Sequence, residues 1–175
     1  MRLITALGCG LLSCVLPSTK PAASEAVAGE TGRQPVLIGS AGTVALVEAY
    51  DYPYWFSLQY RAPPRTRWLL MPGIGIGSGP DGMAYFHADL AHEFALPRQW
   101  FVTLSLAAGV FHNGDEIGVR NHLEFQSGIA VSHRLAGGAQ VGLVGYHISN
   151  GGLSSPNNGT EGLALFLALP LRQSR

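Results

Sequence analysis

Gly162-Leu163-Ala164-Leu165-Phe166-Leu167-Ala168-Leu169-Pro170-Leu171 is the stretch that decides the fold. Leu163, Leu165, Leu167, Leu169 and Leu171 share one parity, and Gly162, Ala164, Phe166 and Ala168 take the other. Successive side chains of a β-strand point to opposite faces, so a period of two puts every leucine on one side. One large apolar face and one mostly small face predict a strand whose small side meets a narrow interior.

The same alternation runs back along the chain. In 52–61, Tyr52, Tyr54, Phe56, Leu58 and Tyr60 alternate with Ser57, Gln59 and Arg61. In 67–77, Trp68, Leu70, Ile74 and Ile76 oppose Gly73 and Gly75. In 83–95, Phe86, Leu90 and Phe94 oppose His87, Asp89 and Glu93. Val102, Leu104, Leu106 and Val110 follow, then Leu123, Phe125, Ile129 and Val131, and then the run 141–150. A weaker first strand near 36–48 brings the count to eight. Turn residues separate the runs: Pro63-Pro64, Gly79-Pro80-Asp81-Gly82, Pro97-Arg98, Asn113-Gly114-Asp115 and Ala136-Gly137-Gly138. Gly73-x-Gly75-x-Gly77 belongs to a Gly-rich strand rather than a nucleotide loop, because no helix follows it.

The expected fold class is therefore all-β: an eight-stranded antiparallel transmembrane β-barrel, each strand near the ~9–11 residues a tilted span needs. A soluble lipocalin-like barrel would reverse the faces and put the apolar side inward. Three features favour the membrane version. Charged residues are only 13% of the chain, against roughly 25% in an average soluble domain. An apolar leader precedes the strands. Aromatic residues gather near strand ends (Tyr52, Tyr54, Trp55, Trp68, Trp100, Phe101), as interfacial girdles do.

The leader, residues 1–28, reads as a cleaved signal peptide: Arg2, an apolar run Leu3 to Leu16, and Ala26-Val27-Ala28 as the cleavage site. Residues 29–175 would then form the outer-membrane barrel domain. Cys9 and Cys14 both lie in the leader, so no disulfide framework is expected. Leu11-Leu12-Ser13-Cys14 is an alternative, a lipobox that would attach lipid to Cys14. Formal net charge is zero, which gives no sign of a nucleic-acid partner.

Chemistry concentrates in Tyr146-His147-Ile148-Ser149-Asn150 and the start of the last run. If 141–150 and 159–171 pair antiparallel with an index sum of 308, His147 sits directly opposite Glu161. Ser149, His147 and Glu161 then share one face: a nucleophile, a base and a carboxylate to orient the base. By parity that face is the one carrying the leucines. A polar border at headgroup depth fits the same three residues, so spacing alone leaves catalysis open. The other histidines (His87, His92, His112, His122 and His133) repeat no metal-ligand spacing on one face, so no metal site is expected.

The segment His147-Ile148-Ser149-Asn150-Gly151-Gly152-Leu153, followed by Pro156-Asn157-Asn158-Gly159-Thr160-Glu161, resembles the lipid A 3-O-deacylase (PagL) family. Leu123-Glu124-Phe125 and the ending Leu165-Phe166-Leu167-Ala168-Leu169-Pro170 extend the likeness over about the last third of the chain. The resemblance implies an eight-stranded outer-membrane barrel that hydrolyses the ester-linked acyl chain at the 3-position of lipid A. It implies Ser149 as nucleophile, His147 as general base and Glu161 as the group that orients the imidazole. Asn150 and Asn157 match family asparagines that shape the site, with oxyanion stabilisation as one route, and Phe125 matches a family aromatic beside it.

No cofactor and no metal are implied. The expected partners are lipid A or lipopolysaccharide as substrate and the membrane itself, with a homodimer left open. Arg61, Arg65 and Arg67 are available to lipid A phosphates, or are ordinary turn charges. The alternatives of other kinds are a non-catalytic structural or adhesion barrel and a phospholipid esterase.

Overall fold

The computed structural model describes residues 34–47, 53–65, 68–112, 119, 123–153, 155 and 159–171. The leader with Cys9 and Cys14, Tyr52, Arg67, the Asn113–Asp115 turn, His122 and Asn157 lie outside them.

Eight strands form one closed antiparallel barrel in chain order. They are β1 (Val36–Val44), β2 (Tyr54–Arg61), β3 (Met71–Ser78), β4 (Ala84–Leu96), β5 (Trp100–His112), β6 (Leu123–Arg134), β7 (Gln140–Ser149) and β8 (Thr160–Pro170). β1 closes the barrel on β8 from Val36↔Pro170 to Val44↔Gly162. Closure leaves no strand edge unpaired, which is what lets such apolar strands exist without aggregating.

Strand ends depart from the periodicity where the backbone turns left-handed. The first strand stops at Val44 because Ala45 has φ +56°, and β3 starts at Met71 because Leu69 has φ +53°. Trp68 and Leu70, expected in the third strand, therefore belong to its lead-in.

The leucine face of β8 points outward: Leu163, Leu165, Leu167 and Leu169 are 46, 62, 44 and 44% exposed. Phe56, Ile74, Phe86, Leu106 and Ile129 continue that belt around the barrel. In water each such side chain would forgo roughly 1.5–3 kcal/mol of burial. A continuous apolar belt of this extent is a membrane surface. No helix among the described residues is long and apolar enough to cross a membrane, and the strands do the spanning.

The interior has two layers. Toward the end that carries the β7–β8 connection, Trp55, Met83, Tyr85, Phe111, Tyr146 and Ile148 form an apolar plug. Trp55 and Tyr85 stack on Phe111 at centroid distances of 5.7 and 5.4 Å. Below lies a polar layer: Arg61 Nη2 meets Asp89 Oδ2 at 3.0 Å, and Arg134 Nη2 meets Glu93 Oε1 at 3.4 Å. Gln140 Nε2 donates to Glu93 Oε2 at 3.0 Å, and the Arg134 guanidinium lies over the Phe101 ring. Small residues of β8, Gly162, Ala164 and Ala168, leave room for these side chains.

Two expectations change here. Trp55 and Phe101 are buried in the interior, not in an interfacial girdle; their parity is opposite to that of Tyr54 and Trp100, which are exposed. Arg61, considered for lipid A phosphates or a turn, also points inward and is neutralised by Asp89. Arg65 is exposed in the β2–β3 connection.

Candidate active site

Ser149 ends β7 and Glu161 is the second residue of β8, so the site sits at one rim of the barrel. The short connections 97–99 and 135–139 lie at the opposite rim, together with the ends Val36 and Pro170. Short turns mark the periplasmic side of outer-membrane barrels.

β7 and β8 pair in the expected register. His147 lies opposite Glu161, and every pair from Gln140↔Ala168 to Ile148↔Thr160 keeps the same sum. Inward-pointing Tyr146 and Ile148 anchor β7 in the apolar plug, and this fixes His147 and Ser149 on the outward face. His147 Nδ1 is 3.1 Å from Glu161 Oε1, and the two side chains are 45 and 41% exposed. A carboxylate and an imidazole at the membrane surface are costly at mid-depth but tolerable near the interface, and each here has the other as partner.

With Nδ1 committed to Glu161, the imidazole has Nε2 left to serve a nucleophile. Gly159 lies against the Cε1–Nε2 edge of the ring. The β7–β8 ladder ends at Ile148↔Thr160, so Gly159 follows directly on the last pair, at the end of the ladder where Ser149 also lies. The Cε1–Nε2 edge of the imidazole is thus turned toward the Ser149 end of β7. Ser149 and His147 share the face without a hydrogen bond between them; catalytic hydrogen bonds often tighten only once substrate is bound.

Phe125, on β6, lies directly opposite Ser149 and is exposed on the membrane side. The backbone of Gly151, at φ +64°, passes close to its ring. Asn150 is buried, and its Oδ1 accepts a 2.8 Å hydrogen bond from the Gly152 backbone N–H. Leu153 N–H donates to the Asn150 carbonyl at 3.2 Å. Asn150 is therefore a turn-builder that folds the chain back behind Ser149.

Two contributors were not singled out from sequence. Thr160 is buried and its Oγ1 accepts from the Ala45 backbone N–H at 3.0 Å, and Leu46 N–H donates to the Glu161 carbonyl at 3.2 Å. These bonds tie the β1–β2 connection to the start of β8 and hold the strand that carries Glu161. The other is Gly159, whose part depends on a contact that spacing does not reveal. Among the described residues no group of His, Cys, Asp and Glu is disposed to hold a metal ion.

Residues 56–170 match the family described as lipid A 3-O-deacylase (PagL). The lipid A deacylase PagL of Pseudomonas aeruginosa is 30% identical over 99 residues, which cover 54% of this chain and 56% of that protein. The match thus spans little more than half the length of that relative. Among solved structures, the outer membrane enzyme PagL superposes with a TM-score of 0.62 at 21% identity, covering 78% of this chain and 99% of the other. Neisserial surface protein A superposes with a TM-score of 0.53 at 9% identity, over 78 and 96% of the two chains. At those identities the two superpositions establish the barrel fold. The family match runs from β2 through β8 and takes in the His147, Ser149 and Glu161 face, so the chain belongs to the lipid A 3-O-deacylase (PagL) family.

Proposed function

We propose that this protein is an outer-membrane lipid A 3-O-deacylase that works through Ser149, His147 and Glu161. The observation that carries the reading is the 3.1 Å His147–Glu161 bond on the outward face, one strand pitch from Ser149 and beside an apolar belt. An acyl ester of a membrane lipid can reach that face without leaving the bilayer.

In this reaction His147 Nε2 takes the proton of Ser149 as Oγ attacks the acyl carbonyl carbon. Glu161 keeps Nδ1 protonated and stabilises the imidazolium that forms. Backbone or asparagine N–H donors stabilise the oxyanion, with Asn150 and Asn157 as the candidates that the family resemblance names. The imidazolium then protonates the departing sugar 3-oxygen, leaving an acyl ester on Ser149. Water, deprotonated by His147, releases the fatty acid and regenerates the serine. Phe125, opposite Ser149, packs on the acyl chain. Residues 1–28 act as the export leader that delivers the barrel to the outer membrane.

The test is expression in a Gram-negative host followed by mass spectrometry of lipid A, repeated on purified lipid A of several acyl lengths. Loss of one 3-hydroxyacyl group is expected, and Ser149→Ala and His147→Ala each abolish it. Intact lipid A across the whole panel, from a folded and inserted barrel, would overturn the reading.

A further inference from the structure

Gly159 is the residue immediately before β8; it is buried and has φ +69°. A Cβ there would lie 2.8 Å from His147 Cε1, 3.2 Å from His147 Nε2 and 2.9 Å from the Ile148 carbonyl oxygen. Non-bonded carbon atoms pack at about 3.5–4.0 Å, so a side chain at 159 forces something to move. The Ile148 carbonyl has little freedom, because Ile148 is fully buried and paired with Thr160 in the sheet. The imidazole is the part that can yield, since its side chain is 45% exposed on the membrane side.

We propose that Gly159 is a positioning residue for the His147 imidazole. Its bare backbone is the wall on which the Cε1–Nε2 edge rests, while Glu161 holds the ring at Nδ1. Between these two contacts the ring keeps one orientation, with Nε2 turned toward the Ser149 end of β7. Any side chain at 159 turns the ring away and breaks its alignment with both Glu161 and Ser149. The catalytic consequence rests on His147 being the general base of the proposed reaction; the ring contact stands independently of it.

The positive φ offers a competing reason for glycine here, and it makes a different prediction. Asn tolerates left-handed backbone far better than Ala, yet both carry a Cβ. If the wall is the reason, Gly159→Ala and Gly159→Asn both lower kcat on lipid A by on the order of 10²-fold, with KM changed by less than about threefold. Both also move the His147 Nδ1–H resonance of the detergent-solubilised barrel toward its position in Glu161→Gln. Recovery of wild-type kcat by Asn, or an unmoved resonance in both variants, overturns the proposal.

Should neither variant fold, the unmutated barrel decides. A nuclear Overhauser contact between the Gly159 α-protons and the His147 ring proton on Cε1 is expected, and its absence refutes the wall. A wild-type protein that shows this contact but leaves lipid A intact would count against the proposed function alone.

Discussion

Glu161 and His147 are fourteen residues apart in sequence and meet only because the sheet register pairs them. In the proposed reaction the carboxylate has two separable tasks, holding the Nδ1 tautomer and stabilising the imidazolium, and two substitutions divide them. Glu161→Gln keeps an oxygen that can accept from Nδ1–H but removes the charge. Glu161→Ala removes both. Kinetics on detergent-dispersed lipid A should show a kcat loss of roughly 10²–10⁴-fold for Ala and a smaller one for Gln, with KM little changed. Equal losses for the two would mean that charge rather than orientation is the whole contribution. At this scale the sequence revealed the pair, because an even index sum fixes parity and opposition together. It did not reveal the part of Asn150, whose side-chain Oδ1 accepts from the Gly152 N–H, nor the approach of Gly159 to the ring. Both follow from how the connection folds back in three dimensions, and parity carries no information about that.

At the scale of elements, β7 works because its two faces do different things. Tyr146 and Ile148 hold it in the plug while His147 and Ser149 look outward. Tyr146 faces Gly162 across the β7–β8 pair, and a Cβ at 162 would run into the Tyr146 ring. Gly162→Val must therefore displace a buried ring or push β8 outward next to Glu161. Overpacking of this kind costs about 1–3 kcal/mol. A lower urea midpoint for the refolded barrel, together with weakened lipid A hydrolysis, is the expected result; an unchanged midpoint would show that the ring has another place to go. Strand count, order and the β7–β8 register were legible in the alternation. Two strand ends were not, since Ala45 and Leu69 adopt left-handed backbone that nothing in their side chains announces. Aromatic composition alone puts Trp55 and Phe101 in a girdle, whereas their parity, opposite to that of Tyr54 and Trp100, sends them inside.

Taken as a whole, the molecule is an inverted protein. Its leucines face the bilayer, its Arg–Asp and Arg–Glu pairs lie inside, and the side chains proposed for catalysis sit at the rim. The plug of Trp55, Tyr85, Phe111 and Tyr146 separates that rim from the polar layer below, so the interior charges should serve stability and leave the chemistry untouched. Asp89 and Arg61 test this division, since their side chains are 3 and 12% exposed and 3.0 Å apart. Asp89→Ala strands the Arg61 guanidinium in the lumen, and removing one member of a buried pair costs roughly 3–5 kcal/mol. Replacing both, as Asp89→Leu with Arg61→Met, removes the stranded charge and should recover most of that loss. Urea unfolding of the inserted barrel would read the three stabilities, and lipid A turnover per folded molecule should stay at the wild-type rate throughout. A single variant as stable as the wild type would mean that solvent in the lumen already screens the pair. A fall in turnover without a fall in stability would mean that the plug does not insulate the site from the charges beneath it.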